Sequence, residues 1–380
     1  MKTPHFFSFP RLDAVEPQEK DWQRLRVVTE TRLTPEQLES LAQPERVFPL
    51  QRAVLAVHWH PEFVPMEVIA TRIQRMFPNA EETLIIPTQH NELLELGPYS
   101  GVEVDCYSRG FDQKVQLLLH FRSDRVRQAH TLRAMLEHTR RYRASQLFDF
   151  MHAIVHPESE ILFLAARETG ASAELVQWVR EHVRKIQLMI ESLHDELPQD
   201  SLKNKILRDY FDALRGEEDD DRIDHTQSFL SHVKRLVKER FPLQYFYRTS
   251  EVIEEARSLG AGIVIPHPEQ FWPILLADYD VDGFETWNPQ SQRYTPFLIT
   301  SLGRANQCLG PERRRKLIFM GDDTHMGEKV KDAAKRHPEK SSREIGWQPA
   351  WEDLEISKRV ILAGMTREIV IREYRERLHG

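Results

Sequence analysis

Histidine and carboxylate side chains occur in this sequence in two closely spaced pairs. His58 and His60 are separated by one residue, and Asp323 and His325 have the same spacing. Alternate side chains of a β-strand lie about 6.6 Å apart on one side, so each pair can converge on one ion or on neighbouring ions. The chain has 17 histidines, so His58 and His60 can also be two polar residues at a strand end. The other candidate residues decide between these interpretations.

Three further candidates lie at or just after predicted strands: His90, Glu103 and His267. Ligands of parallel sheets and β/α barrels bind at the carboxyl ends of the strands, so we expect these side chains to gather in one cleft. Imidazole and carboxylate suit Zn²⁺, Mn²⁺ or Fe²⁺ better than Mg²⁺ or Ca²⁺, and a set without thiolates disfavours a structural zinc site. So many candidate ligands imply more than one ion.

Short β-rich runs alternate with helical patterns on both sides of a long middle segment. The predicted strands are residues 54–57, 83–86, 101–106, 114–121, 262–266, 283–287 and 317–320. The predicted helices are residues 34–41, 66–77, 250–259, 296–309 and 355–378. This alternation predicts a parallel α/β sheet or barrel.

The middle segment predicts an all-helical insertion, because it has long helical patterns and few glycines. Residues 173–197, 202–214 and 225–240 are its clearest helices, and the acidic run 216–221 predicts a solvated loop. The predicted organisation is a lead-in at 1–50, a first barrel part at 51–122, the insertion at 123–249, a second barrel part at 250–330 and a C-terminal helical segment at 331–380.

The composition carries no strong global charge. Lys and Arg total 52 against 59 for Asp and Glu, a net charge of -7, so nothing draws the whole chain to nucleic acid or to an anionic membrane. No run approaches the roughly 18 apolar residues of a membrane span, and residues 1–15 lack the apolar core of a signal peptide. Cys106 and Cys308 form no CxxC motif, which favours a reducing compartment. We therefore expect a cytoplasmic protein that binds no membrane.

Six short motifs follow one another along the chain: His58-x-His60, Thr88-Gln89-His90-Asn91, Gly101-Val102-Glu103, His267-Pro268, Gly283-Phe284-Glu285 and Gly321-Asp322-Asp323-Thr324-His325. In this order they resemble the motifs of the polymerase and histidinol phosphatase (PHP) family. The similarity covers most of residues 53–121 and 250–327. The resemblance implies an α/β fold, a distorted (β/α)7 PHP-type barrel interrupted by the all-helical insertion, that holds two or three divalent ions and hydrolyses phosphoesters.

The resemblance also implies which residues act. The implied metal ligands are His58, His60, His90, Glu103, His120, His267, Asp323 and His325. Asp323, His325 and His267 are the implied catalytic residues, and Glu103 is the implied bridge between two ions. His120 is included although strict register on its strand selects Gln116. Glu285 matches a family position that is usually supportive, so it is not counted as a ligand.

Two positions leave alternatives open. Gln89 stands where family members usually have Asp, which weakens the orientation of a ligand or the binding of one ion. Asp322 and Asp323 are both candidates, and the Asp-x-His spacing selects Asp323, whereas Asp322 fits a turn. The histidines of the insertion are expected to be ordinary polar residues: His152, His156, His194 and His232.

The implied chemistry is metal-assisted hydrolysis, in which bound ions lower the pKa of a bridging water towards about 7. The expected substrate is a phosphorylated small molecule or a nucleic-acid end. Some family members that trim nucleic acid from the 5′ end carry a helical domain at the same place in the chain. Arg141 and Arg143, in the basic run 122–143, are predicted to bind substrate phosphates, and an exposed basic helix face is the alternative.

Three classes of function stay open. The first is a metal-dependent phosphoesterase, either a 5′-end or single-strand nuclease or a small-molecule phosphomonoesterase. The second is a non-catalytic, degenerate PHP scaffold, which Gln89 and the position of His120 motivate. The third is an amidohydrolase, whose barrels also begin with an HxH motif but fit the Gly-Val-Glu motif and the late Asp-x-His pair poorly.

Overall fold

A computed structural model describes residues 9–193, 196–198, 201–310, 312–331 and 337–380. These residues form two units by their internal contacts. The helical unit contains the described residues up to Arg32 together with Arg141–Pro242, and the mixed unit contains Leu33–Arg140 and Leu243–Gly380. The candidate ligands all belong to the mixed unit.

The strands of the described residues are short and mostly buried. They are β1 (Ala53–Ala56), β2 (Trp59–His60), β3 (Glu82–Ile85), β4 (Leu94–Leu96), β5 (Tyr99–Ser108), β6 (Gln113–Arg122), β7 (Gly262–Ile265), β8 (Gly283–Trp287), β9 (Leu317–Met320) and β10 (Thr324–His325). One sheet has the order β4-β5-β6-β7-β8-β9, while β1 pairs with β3 and β2 pairs with β10. The described residues thus form a mixed α/β fold without a closed barrel.

The helices predicted at 34–41, 66–77, 250–259 and 296–309 lie within two residues of observed helices, whereas those predicted at 173–197 and 225–240 differ by five residues at one end. The helices His130–Val155 and Glu160–Thr169 had no predicted bounds. In the described residues the helices are α1 (Glu19–Thr29), α2 (Pro35–Ala42), α3 (Met66–Met76), α4 (Ser123–Val126), α5 (His130–Val155), α6 (Glu160–Thr169), α7 (Ala173–Ser192), α8 (Lys205–Asp212), α9 (Asp220–Arg240), α10 (Thr249–Ser258), α11 (Thr295–Gln307), α12 (Gly327–Val330), α13 (Pro338–Ser341), α14 (Leu354–Leu362) and α15 (Arg367–His379).

The expectation that the strands are all parallel is wrong for the first half of the sheet. β5 and β6 form an antiparallel hairpin, and β6 also pairs antiparallel with β7, whereas β7, β8 and β9 run parallel. Residues 109–112 alone connect β5 to β6, and so short a connection can join only antiparallel strands. Glu103 therefore lies in the middle of β5 and not at a strand end.

β1 is buried on both faces, which explains its continuous apolar sequence. Leu55 belongs to the core of the main sheet, whereas Val54 and Ala56 pack with Ile69 and Ile73 of α3. Parallel strands that are covered on both faces need apolar side chains at every position. The buried strand ends at Ala56, two residues before His58, so it positions the start of the candidate site.

The predicted C-terminal helix, residues 355–378, is two helices. Gly364 adopts a φ of 66° between α14 and α15, and its N–H bonds to the carbonyl of Ile361. A left-handed residue ends a helix, and glycine takes this conformation at little cost. α15 then packs Val370 and Tyr374 into the core of the main sheet. The apolar spacing continues across the break, so only Gly364 signals it in the sequence.

α1 belongs to the helical unit, although residues 1–50 were predicted to be a lead-in. The carboxylate of Asp21 accepts a hydrogen bond of 2.9 Å from the Tyr210 hydroxyl and pairs with Lys185 at 3.0 Å. Asp21 and Arg24 are both buried positions of α1. Because polar residues occupy part of the buried face, apolar periodicity does not reveal this helix.

The acidic run at 216–221, which was predicted to be a solvated loop, is exposed for most of its length, but its last two residues begin α9. Asp220 is exposed and pairs with Arg215 at 3.2 Å, and Asp219 caps the N-terminus of α9. Among the helices of the described residues, none combines the length and the apolar character that a bilayer-spanning segment requires.

Candidate metal centre

The two short motifs meet because two very short strands pair in parallel. β2 and β10 align His60 with His325 and Trp59 with Thr324. The Asp323 N–H also donates to the carbonyl of His58, at 2.9 Å. Pairing in this register places the alternate side chains of both strands on the same face. The His58-x-His60 and Asp323-x-His325 pairs therefore lie side by side.

Asp323 divides its two carboxylate oxygens between the protein and the imidazoles. Oδ1 lies 3.7 Å from Nε2 of His58. It also lies 3.4 Å from Nε2 of both His60 and His325. Oδ2 accepts hydrogen bonds of 2.9 Å from Gln290 Nε2 and from Arg343 Nη1. The second oxygen is thus fixed, and the first faces three ligand nitrogens.

Glu103 extends the group of ligands from β5. Its Oε2 lies 2.5 Å from Nδ1 of His90 and 3.6 Å from Nε2 of His60. Its Oε1 lies 3.6 Å from Nε2 of His267. The side chain is 1% exposed. A carboxylate whose two oxygens face different imidazoles has the arrangement that a bridge between two ions requires.

The donor atoms converge closely enough to hold ions. One atom each from His60, His90 and His325 lies within 4.8 Å of the others, and the same holds for His58, His60 and Glu103. Nε2 of His58 and both ring nitrogens of His60 are buried and have no hydrogen-bond partner within the described residues. Burial of an unpaired polar atom is costly. Metal coordination would satisfy such atoms, so the donor set fits divalent ions.

Glu285 orients His58 and contributes to the site. Its Oε1 lies 2.8 Å from Nδ1 of His58, while its Oε2 accepts a hydrogen bond of 2.8 Å from the His267 N–H. A carboxylate on one imidazole nitrogen directs the other nitrogen to a metal. A Cβ at Gly321 would lie 1.3 Å from Oε1 of Glu285, so only glycine fits there. Glu285 was not counted among the ligands, and its Gly-Phe-Glu motif was the available signal.

Glu62 contacts Nδ1 of His325, as Glu285 contacts Nδ1 of His58. The sequence analysis did not identify Glu62. Its Oε1 lies 3.3 Å from Nδ1 of His325, and its Oε2 accepts a hydrogen bond of 2.7 Å from the Gly327 N–H. The Glu62 N–H donates to Oε1 of Gln89, at 3.2 Å. Gln89 therefore supports the loop that carries Glu62. Glu62 follows the HxH motif in a loop without apolar periodicity, which offers no signal.

Two of the ligands hold backbone conformations that most residues avoid. The φ of Asp323 is 47° and that of His267 is 29°, and the supporting Glu62 has a φ of 55°. Non-glycine residues with such angles cost energy and cluster at functional sites, where the surrounding structure holds them in place. The local backbone is thus strained where the predicted ligands meet.

The charges in the site determine which ligands are ready to bind. Burial disfavours the charged form of His58, but Glu285 outweighs it and raises the pKa to about 10. Burial is likewise outweighed at His325, where Asp323 and Glu62 raise the pKa to about 9. Burial, with His325 and His90, lowers the pKa of His60 to about 3. Neutral His60 can ligate directly, whereas His58 and His325 must first release protons.

The two carboxylates among the candidate ligands stay ionised despite their burial. Burial opposes ionisation of Glu103, but His90 and His267 hold its pKa well below the usual range. Burial is also outweighed at Asp323, whose pKa is held well below the usual range by His325 and His60. Both groups therefore present negative oxygens to a cation.

His120 is the predicted ligand that the structure contradicts. Its Nε2 lies 2.9 Å from the carbonyl oxygen of Val57, and its Nδ1 lies 2.7 Å from the Tyr374 hydroxyl. A carbonyl can only accept, so Nε2 carries the proton and Nδ1 accepts from the hydroxyl. Neither nitrogen then has a lone pair for an ion. His120 instead ties β6 to the end of β1 and to α15.

Asp322 has a supporting role in the turn after β9. Its Oδ2 accepts hydrogen bonds from the Gly346 N–H at 2.9 Å and from Gln348 Nε2 at 3.2 Å. Its Oδ1 accepts from the Thr324 N–H at 3.2 Å. Burial raises the pKa of Asp322 to about 6. These contacts agree with the choice of Asp323 as the ligand.

A buried network of charges anchors the segment that holds Asp323. Glu344 accepts hydrogen bonds from Nε and Nη2 of Arg72, at 3.0 and 2.6 Å. It also accepts one of 3.0 Å from Lys329 Nζ. Arg343, the preceding residue, donates to both the side chain and the backbone of Asp323. The network therefore positions a ligand through the neighbouring residue.

The predicted substrate residues lie in the other unit. Arg141 and Arg143 are on α5 in the helical unit, and both interact with other groups of the protein. Their role in binding substrate stays a prediction. Among the insertion histidines, the His152 and His156 rings lie 5.2 Å apart and His232 contacts Glu168. His194 lies outside the described residues.

Comparisons with solved structures give distant likenesses, among them the following two. A Bifidobacterium adolescentis protein assigned as a metal-dependent phosphoesterase is 15% identical with a TM-score of 0.42, and the match covers 83% of this chain and 98% of that one. An amidohydrolase from Chromobacterium violaceum, with bound sulfate and no metal, is 14% identical with a TM-score of 0.38, and the match covers 81% and 97%. No family model matches this chain, and no curated protein matches it by sequence.

Proposed function

We propose that this protein is a metal-dependent hydrolase of phosphate esters that holds two or three divalent ions, with Mn²⁺, Zn²⁺ or Fe²⁺ as candidates. The observation that carries the proposal is Oδ1 of Asp323, which faces three imidazole nitrogens at 3.4 to 3.7 Å. The ligands of this centre are His58, His60, His90, Glu103, His267, Asp323 and His325. When bound, the ions supply an activated water and polarise the phosphoryl oxygens.

The side chains of this centre each have a defined task. Glu285 keeps the Nδ1 proton on His58, so Nε2 is the ligand atom. Arg343 and Gln290 occupy Oδ2 of Asp323, which leaves Oδ1 for coordination. Nε2 of His267 lies 3.6 Å from Oε1 of Glu103, and His267 would act with Asp323 and His325 as the catalytic group around the ions. No side-chain nucleophile is required.

The charge of the ligand set favours an anionic substrate. Glu103 and Asp323 are the carboxylates among the proposed ligands, and the others are imidazoles that bind ions in their neutral form. Two divalent ions therefore leave positive charge among the ligands, which the carboxylate of Glu285 on His58 offsets only in part. Such charge stabilises the additional negative charge of a phosphate ester more than it does a neutral amide. This supports a phosphoesterase over an amidohydrolase.

The finer assignment has two forms. One is a 5′-end or single-strand nuclease, supported by the basic side chains of Arg141 and Arg143 on α5. The other is a small-molecule phosphomonoesterase, which needs the metal centre alone. A non-catalytic scaffold is the remaining alternative, and it requires a protein that binds little metal.

The proposal is tested with protein stripped of metal and then supplied with Mn²⁺, Zn²⁺ or Fe²⁺. Hydrolysis of 4-nitrophenyl phosphate, a 5′-phosphorylated single-stranded oligonucleotide and an N-acetylated amino acid is followed for wild type and Asp323→Asn. Asp278→Asn, at an exposed ion pair with Arg313, is the matched control. We expect metal-dependent release of phosphate from the monoester, or of mononucleotides from the oligonucleotide, in wild type and the control and its loss in Asp323→Asn. Hydrolysis of the amide alone would replace the proposal with an amidohydrolase.

A further inference from the structure

Three aromatic side chains form a partly exposed cluster in the mixed unit. The Trp272 ring lies edge-on to Tyr294, with centroids 5.0 Å apart, and edge-on to Phe297, at 5.7 Å. Trp272 is 38% exposed and Phe297 is 56% exposed. Both contacts are close to perpendicular, so a planar ligand that stacks on the exposed Trp272 ring would be edge-on to the other two rings. We call these three residues the aromatic cluster.

The aromatic cluster lies on the segments that follow two residues of the metal centre. Trp272 belongs to the 3-10 segment Pro268–Leu276, which begins directly after His267. Phe271, the residue before Trp272, packs its ring 5.6 Å from the ring of His267. Consecutive Cα atoms are about 3.8 Å apart, so Trp272 is tied closely to a ligand of the centre.

Tyr294 and Phe297 follow Gln290 in the chain, and Gln290 contacts Asp323. Gln290 donates to Oδ2 of Asp323, and Tyr294 lies in the next turn, Gln292–Tyr294. Four residues of chain span at most about 14 Å. Phe297 then lies in the first turn of α11. Each of the two segments that carry the aromatic cluster therefore begins close in sequence to a residue of the metal centre or its support, His267 in one case and Gln290 in the other.

A cation accompanies the rings. The guanidinium of exposed Arg293 lies over the Tyr294 ring, 4.6 Å from its centroid. Cations over aromatic faces and stacked rings together are typical of sites that bind nucleotides without reading their sequence. Aliphatic partners would not require the ring faces or the guanidinium.

We propose that Trp272 stacks a nucleobase of the substrate while Tyr294 and Phe297 lie edge-on beside it, so that the phosphate ester hydrolysed at the metal centre belongs to a nucleotide or to a nucleic-acid end. This inference rests on the proposed hydrolase function. The aromatic cluster binds the base, Arg293 adds positive charge beside it, and the ester reaches the ions at the neighbouring ligands. Trp272 is a specificity-determining residue in this arrangement and takes no part in bond cleavage.

The test compares two phosphonates that cannot be hydrolysed, the analogues of adenosine 5′-monophosphate and of ribose 5-phosphate. Their dissociation constants are measured by calorimetry on the full-length, Mn²⁺-loaded protein. Trp272→Ala and Phe297→Ala remove rings, Trp272→Phe retains one, and Leu276→Ala is the control, because Leu276 is 85% exposed on the same segment. Circular dichroism and thermal unfolding verify that each variant is folded.

We expect wild type to bind the adenosine phosphonate at least about tenfold more tightly than the ribose phosphonate. Trp272→Ala removes most of this preference, Trp272→Phe keeps part of it, and Leu276→Ala retains it. Equal binding of both phosphonates by wild type, or an unchanged preference in Trp272→Ala, overturns the inference. Hydrolysis of the two parent phosphates is measured separately. A base preference without hydrolysis would refute the hydrolase function and leave base binding by the aromatic cluster intact.

Discussion

The rings of His60 and His325 stack with their centroids 4.2 Å apart and their planes at 25°. Two imidazolium rings would repel each other at this separation, so one of the pair must be neutral. Burial and the neighbouring histidines lower the pKa of His60 to about 3, whereas Asp323 and Glu62 outweigh burial at His325 and raise its pKa to about 9. The stack therefore combines one ligand that is ready for metal with one that is protonated.

Metal binding is expected to release protons and to strengthen with pH. In the metal-free protein His58 has a pKa of about 10 and His325 of about 9, both raised, so both imidazoles carry an extra proton at pH 7. A metal displaces these protons, and the logarithm of the affinity rises by about two for each pH unit below 9. Competition with a chelator for Mn²⁺ between pH 7 and 9 measures the slope. An affinity independent of pH would contradict the assigned charges.

Glu285→Gln is expected to weaken metal binding without unfolding the protein. The amide keeps the shape of the side chain but lowers the basicity that Glu285 confers on His58 through the 2.8 Å contact. Loss of such a supporting carboxylate typically costs about 10–100-fold in metal affinity. Glu355→Gln, at an exposed position of α14, is the matched control. Equal affinities in the two variants would show that Glu285 does not support the centre.

His120→Gln is expected to reduce stability and to leave metal content unchanged. The substitution disturbs buried bonds to Val57 and Tyr374, which costs about 1–3 kcal/mol of unfolding free energy. Urea denaturation measures this loss, and Tyr374→Phe, which removes one of the two bonds, should lose less. A drop in bound metal with unchanged stability would restore His120 as a ligand.

Glu344→Gln is expected to destabilise the protein and to disturb the metal centre. Arg72 and Lys329 would remain buried without their carboxylate partner, a situation that costs about 3–5 kcal/mol. The neighbouring Arg343 would hold Asp323 less firmly, so metal affinity falls as well. Glu355→Gln, whose carboxylate is 75% exposed and pairs with Lys358, should change neither quantity.

The sequence predicted the parts of the site that depend on local spacing. His58-x-His60 and Asp323-x-His325 alternate as strand residues do, and the paired strands β2 and β10 bring them together. The apolar run of β1 was visible because both of its faces are buried. These features are encoded by neighbours in sequence, so spacing alone reveals them.

The parts that depend on distant contacts were not predictable. Glu103 and His120 lie on the two paired strands of the β5–β6 hairpin. Glu103 nevertheless points to the candidate ligands, whereas His120 forms hydrogen bonds with Val57 and Tyr374. Residue type cannot distinguish these outcomes. Glu62 lies in a loop and is held by two contacts with distant segments. Its N–H donates to Gln89, and its carboxylate accepts a hydrogen bond from the Gly327 N–H. Both cases require knowledge of which segments meet.

The metal content of the purified protein tests the central claim most directly. Protein stripped by a chelator, incubated with Mn²⁺ and passed through a desalting column is analysed by mass spectrometry of the elements, beside Asp323→Asn and Asp278→Asn. The metal centre described above predicts about two or three ions per chain in wild type and in Asp278→Asn, and at least about one fewer in Asp323→Asn. Wild type with less than about one ion per chain would contradict it and favour a scaffold that binds no catalytic metal.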